Sequence, residues 1–135
     1  MVKKTNQNEK KAIYWLMNAT EEKRYEHTIH CIADTETLFL ATNSTIREKN
    51  IIVWPETARE ILLKECIEVT LEDFVEQYLK ELIYNNFTIL VFPTEKNNWM
   101  NCIHTDILTF INDLNASLED FGETIDTNQF SIIDL

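Results

Sequence analysis

The chain has 135 residues, the length of one domain, and 44% of them are hydrophobic, which is enough apolar material for a packed core. Its 23 acidic residues against 12 Lys and Arg give a formal net charge of −11. This charge repels nucleic-acid phosphates and anionic lipid headgroups, so neither nucleic acid nor a membrane is predicted as a partner.

Residues 1–19 are predicted to form an N-terminal extension with one short helix. Between residues 9 and 19 the apolar side chains recur at intervals of three and four, a spacing that places them on one side of a helix. Trp15 falls outside that side, and an exposed tryptophan is a candidate for contact with a partner. The alternative interpretation is that Trp15 packs on a neighbouring element.

A second helix is predicted from its N-cap, Thr20, to about residue 33. The helical period divides its side chains into two sets. The buried stripe is expected to contain Tyr25, Ile29 and Ile32. The exposed side is expected to contain Arg24, His27 and Cys31.

Residues 37–42 and 51–54 are rich in β-branched and aromatic side chains and predict a hairpin. Pro55 ends the second strand, because proline has no amide hydrogen for the ladder, and begins a third helix expected to end near Glu65. Residues 66–69 alternate between apolar and polar and indicate an extended connection.

The strongest predicted helix begins at Thr70, where Thr70 and Asp73 form a capping pattern, with Asp73 and Glu76 on its solvated face. A buried strand follows at residues 87–92, and residues 99–104 are expected to return antiparallel beside it. Thr105 and Asp106 can cap a final helix that ends at Gly122, the chain's one glycine, in a left-handed conformation.

This order predicts an α+β fold, a small antiparallel or mixed sheet of about four to five strands packed against helices. Residues 20–121 are expected to form the single domain. Residues 122–135 form a C-terminal tail, whose last six residues suit an edge strand, a partner-binding segment or a contact between two copies of the chain. No secretory signal or membrane-length apolar run is visible, and Cys31, Cys66 and Cys102 form no disulfide pattern, so a cytoplasmic location is expected.

Four segments, taken in order and spacing, carry a resemblance to a known family. They are Arg24-Tyr25, Val-Trp-Pro-Glu at residues 53–56 with Ala58, Ile67 with residues 69–74, and Val-Phe-Pro-Thr at residues 91–94. Over about residues 20–115 the chain resembles the bacterial family catalogued as domain of unknown function 2750, although it lacks that family's usual hairpin glycines. The resemblance implies the family's fold and a bacterial cytosol, and it implies no activity and no catalytic residues.

Few residues in the sequence are candidates for metal binding or catalysis. His27 and Cys31 stand four residues apart on a helix, as do Glu26 and His30, and either pair can supply two metal ligands. A zinc site needs three or four, and no pattern brings Cys102 or His104 to this helix, so no metal or cofactor is predicted. Cys31 or Cys102 with His104 could form a nucleophile and base, but no local signature supports such a pair.

The charge favours a non-catalytic binding module for a basic protein, with an immunity protein that inhibits a basic toxin as the specific hypothesis. Acidity for solubility alone is the competing explanation. The candidate contact residues are Trp15, Trp54, Trp99, Asp73 and Glu76. The alternative function is a small enzyme or a ligand- or metal-binding domain that uses His27, His30 or His104, and no catalytic residue is predicted.

Overall fold

The computed structural model describes Leu16 and residues 18–42, 49–62, 65–94 and 102–126. The predicted first helix apart from Leu16, as well as Trp15, Trp99 and the last residues of the tail, lie outside this part. The elements in chain order are α1 (Glu21–Thr35), β1 (Thr37–Thr42), β2 (Asn50–Trp54), a 3-10 helix (Glu56–Ile61), β3 (Ile67–Thr70), α2, β4 (Thr88–Val91), β5 (Ile103–Asp106), α3 (Ile107–Leu118) and a final 3-10 turn (Glu119–Phe121). Helix α2 comprises Leu71–Asp73, a π-helical middle at Phe74–Leu79, and Lys80–Tyr84.

The five strands form one mixed sheet in the order β3-β1-β2-β4-β5. Strand β1 is antiparallel to β2 and to β3, as is β4 to β5, whereas β2 and β4 are parallel. Helices pack against this open sheet, so the predicted α+β class is confirmed. The predicted hairpin is also confirmed, as is the antiparallel return beside β4, although β5 begins at Ile103.

Both faces of the inner strands are buried. In the register of the sheet Leu40 is opposite Val53, and Val53 is beside Val91 on one face. Ile52 and Leu90 lie side by side on the other face, and all five side chains belong to the hydrophobic core. Helices α1 and α3 contact each other, and both contact β4 and β5. No helix in the described ranges has the length and apolar character needed to cross a bilayer.

The helix ends that were predicted from local capping residues are confirmed. The Thr20 hydroxyl accepts a hydrogen bond from the Lys23 amide at 3.2 Å, and the Thr70 hydroxyl accepts one from Asp73 at 3.1 Å. Gly122 has φ +74°, the left-handed conformation expected of it. Glu36 ends α1 in the same conformation with φ 56°, which the sequence does not indicate.

Three predictions about elements are wrong. The third helix ends at Ile61, well before Glu65, because Leu62 is already extended with ψ 133°. The segment read as an extended connection is the edge strand β3, which pairs with β1. Arg24, expected on the exposed side of its helix, is only 2% exposed. Long-range contacts decide the last two, since β3 pairs with β1 and Arg24 donates to the Phe92 carbonyl.

We expect Asp106→Ala to lower the free energy of unfolding by about 1 kcal/mol, because the Asp106 carboxylate caps α3. It accepts hydrogen bonds from the Thr109 amide at 2.7 Å and the Thr109 hydroxyl at 2.9 Å. These bonds, the amide first, lower the pKa of Asp106, so its contribution is complete above the unfolded pKa and is lost as pH falls through the lower folded pKa. Urea denaturation between about pH 7 and about pH 2.5 measures this.

Asp106→Asn is the matched control, since it keeps an acceptor but cannot titrate. The stability difference between wild type and Asp106→Asn should shrink as pH falls. A difference that stays constant with pH would show that the carboxylate charge plays no part in the cap.

Candidate functional site

The carboxyl ends of the parallel strands β2 and β4 meet at one edge of the sheet, and Arg24 of α1 reaches them. Its Nε donates to the Phe92 carbonyl at 3.1 Å, and its Nη1 donates to the Ala19 carbonyl at 2.8 Å. Trp54, the last residue of β2, donates its indole N–H to the Pro93 carbonyl at 3.3 Å. Three segments that carry the family resemblance therefore lie together, while the resemblance itself stays a prediction.

Phe92 has a conformation that its surroundings impose. Its φ is 55°, which is costly for a bulky residue, on the order of 1–3 kcal/mol. The ring is fully buried, the amide donates to the Val53 carbonyl at 2.8 Å, and the carbonyl accepts from Arg24. Packing and two hydrogen bonds thus hold this residue in place.

Burial also shifts the pKa values of two groups at this site, Arg24 and Cys102. Desolvation lowers the pKa of Arg24, and the nearby Glu21 carboxylate partly opposes that shift. The Cys102 thiol is 5% exposed, and its burial raises its pKa to about 11 despite the proximity of Arg24. Cys102 is therefore a neutral thiol at physiological pH, which is the state of a structural cysteine and not of a nucleophile.

The structure places the predicted contact residues in different environments. Trp54 is completely buried in the core and presents no surface to a partner. Asp73 and Glu76 are exposed on α2, as expected. Asp73 also accepts a hydrogen bond from the Gln77 amide at 3.4 Å.

His27 and Cys31 do meet, together with Thr57 of the 3-10 helix. We call these three residues the thiol cluster. The Cys31 Sγ lies 3.3 Å from the His27 Nε2, which lies 2.9 Å from the Thr57 hydroxyl oxygen. His27 and Cys31 are half-buried. Desolvation, followed by the proximity of His30, lowers the pKa of His27, and desolvation raises the pKa of Cys31 although a hydrogen bond with Thr57 opposes it.

The other histidines lie elsewhere. His30 packs beside the ring of Phe121, with ring centroids 6.3 Å apart. His104 is exposed on β5 opposite Leu90. Within the described residues, no group of three or more His, Cys, Asp or Glu side chains is arranged to hold a metal ion.

Two carboxyl groups meet where the end of α1 lies against the start of α2 and the end of α3. The Glu36 carbonyl accepts from the Leu71 amide at 2.7 Å, and the Glu36 carboxyl contacts that of Glu123. We define the acidic corner as these two residues together with three exposed acidic residues of the adjoining segments: Glu36, Glu72, Asp73, Glu119 and Glu123. Within the described ranges none of the five forms an ion pair with Lys or Arg, in contrast to Glu56 and Glu68, which both pair with Arg59.

The contact between the two carboxyl groups shifts the pKa of Glu36. A hydrogen bond with Glu123 and the repulsion between the two carboxylates raise the pKa of Glu36. Sequence patterns gave no indication of this pair, of Thr57 in the thiol cluster or of the buried Arg24, because each contact joins separate elements. The one local signal was the spacing of His27 and Cys31.

Comparison of the chain with protein-family models, curated proteins and solved structures found no match.

Arg24→Met should lower the free energy of unfolding by about 2–4 kcal/mol, because the Phe92 and Ala19 carbonyls lose a charged donor in a buried site. Arg24→Lys should restore little of this, since an ammonium cannot reproduce the planar guanidinium fork. Urea denaturation of both variants measures the loss. Full stability of Arg24→Lys would show that a positive charge alone suffices.

Glu123→Gln should raise the melting temperature at pH 7, because it removes the repulsion acting on Glu36. A raised folded pKa means that the native state binds protons more strongly than the unfolded chain, so the pair costs stability once pH exceeds the unfolded value and the cost disappears in acid. The gain should therefore vanish below about pH 4. Glu81→Gln, an exposed carboxylate on α2, is the control for net charge.

Proposed function

We propose that the protein is a non-catalytic binding module whose acidic corner binds a basic protein. The observation that carries the proposal is the contact between the Glu36 and Glu123 carboxyl groups. Like charges held together destabilise the free protein, and a cationic partner turns that repulsion into attraction. The predicted contact residue Asp73 belongs to this corner, and Glu76 lies one helical turn further along α2.

The composition of the described surface supports the same conclusion. The basic residues in the described ranges are Lys23, Arg24, Lys49, Arg59 and Lys80. Of these, Arg24 is buried, and Arg59 is already paired with Glu56 and Glu68. The negative potential of the acidic corner therefore meets little local compensation, which increases the rate of encounter with a basic surface.

The specific form that we propose is an immunity-type inhibitor of a basic toxin in a bacterial cytoplasm. A toxin that cleaves nucleic acid needs a positively charged active site to attract phosphates. An acidic protein can occlude such a site by electrostatic complementarity, without catalysing any reaction.

The test is an affinity pull-down with the tagged full-length chain from lysates of its host and of close competitors, at low and at raised salt. We expect stoichiometric retention of one basic protein at low salt and its release as screening increases. Retention of no basic protein, or binding that is insensitive to salt, would overturn the proposal.

Two matched variants locate the surface. E36Q/E72Q/E119Q/E123Q removes four of the five negative charges of the acidic corner, and E22Q/E26Q/E60Q/E81Q removes the same number from other exposed positions. Stopped-flow association with the captured protein at low salt should slow by on the order of tenfold for the corner variant and much less for the other. Equal slowing would assign the effect to net charge instead of the corner.

A further inference from the structure

After α3 the chain turns back, and an asparagine of α3 holds the returning segment against the helix. The Asn115 side-chain oxygen accepts a hydrogen bond from the Ile125 amide at 2.6 Å, and its side-chain nitrogen donates to the Ile125 carbonyl at 3.0 Å. The Ile125 side chain also packs against the core. Because α3 ends at Leu118, beyond Asn115, the chain has already reversed at Ile125 and runs toward the start of the helix.

Two large apolar side chains are exposed near the start of α3. Leu108, in the first turn of α3, is 45% exposed, and Tyr84, the last residue of α2, is 72% exposed. We call these two residues the apolar pair. In the sheet, Thr88 of β4 is opposite Asp106 of β5. The apolar pair is only four and two residues away from these positions, so both side chains lie at the same end of the sheet, where the last segment of α2 contacts α3.

We propose that the C-terminal segment of the same chain, residues 130–135, packs over the apolar pair. Four of its six residues are apolar: Phe130, Ile132, Ile133 and Leu135. The site lies at the start of α3, whereas the acidic corner lies at its end, so this inference does not depend on the proposed function.

The direction and length of the chain fit this site. Leu108 precedes Asn115 by seven residues, which places it on the same side of α3 and about 10 Å nearer the start of the helix. Five extended residues span about 16 Å, so the chain from Ile125 to Phe130 is long enough to pass Leu108. The hydrogen bonds of Asn115 therefore direct the apolar segment along the side of the helix that carries an exposed leucine.

Tethering favours the chain's own segment over a second copy of the protein. Residues 130–135 begin five residues after Ile125, and a short tether gives an effective concentration on the order of millimolar. Two copies of a chain with a formal net charge of −11 repel each other. Burial of apolar side chains on both sides of the contact supplies the free energy of docking.

The first test is methyl NMR of the 135-residue chain, which needs no variant. We expect nuclear Overhauser effects between the Leu108 methyl groups and the Phe130 ring or the methyl groups of residues 132–135. A mixture of labelled and unlabelled chains separates contacts within one chain from contacts between two. The absence of these effects, or their appearance only between two chains, would overturn the proposal.

The second test follows the trimming of residues 130–135 by a carboxypeptidase with mass spectrometry. Leu108→Ser should accelerate trimming by on the order of tenfold, because the loss of a leucine contact increases the fraction of chains in which the segment is undocked. Leu108 is exposed, so the substitution leaves the core intact.

Ile67→Ser is the matched control for the trimming experiment. Ile67 is also an exposed aliphatic residue, at 52%, but it lies on β3, at the opposite edge of the sheet from β5. Its substitution should leave the trimming rate unchanged. Equal acceleration in both variants, or no acceleration in Leu108→Ser, would contradict docking on the apolar pair.

Discussion

A buried guanidinium joins the first described helix to the end of the sheet. Arg24 donates to the carbonyl of Phe92, 68 residues further along the chain, and so fixes α1 against the carboxyl ends of the two parallel strands. The positive φ of Phe92 persists because this bond, the Val53 hydrogen bond and a fully buried ring determine it together. A charge buried in this way stabilises the fold only while its hydrogen bonds are made.

The position of Arg24 also determines where the thiol cluster forms. His27 and Cys31 follow Arg24 by three and seven residues, so all three lie on one side of α1. Because Arg24 is held at the end of β4, the same side of the helix faces the 3-10 helix that follows β2. His27 contacts Thr57 there. One long-range contact therefore positions both the network at the strand ends and the thiol cluster.

Charge is distributed along α1 in opposite ways at its two ends. A guanidinium is buried near its start, whereas its last turn leads to Glu36, exposed and in contact with another carboxyl group. Carbonyl oxygens stabilise the buried Arg24 guanidinium, whereas repulsion from a second carboxylate destabilises the exposed Glu36. A protein that keeps such repulsion on its surface has free energy available for binding a cationic partner, which is the basis of the proposed function.

The sequence by itself determined the α+β class, the helix starts at Thr20, Thr70 and Asp106, and the acidic surface, because capping, hydrophobic period and charge are properties of neighbouring residues. It placed Arg24 on the solvent side, because helical periodicity treats arginine as a polar residue. The pattern carries no information about carbonyl groups that lie far away in the sequence. It also missed β3 as a strand and the meeting of Glu36 with Glu123. Tertiary structure decided these features, because strand pairing, burial of a charge and contacts between separate elements depend on the chain's three-dimensional path and not on local preference.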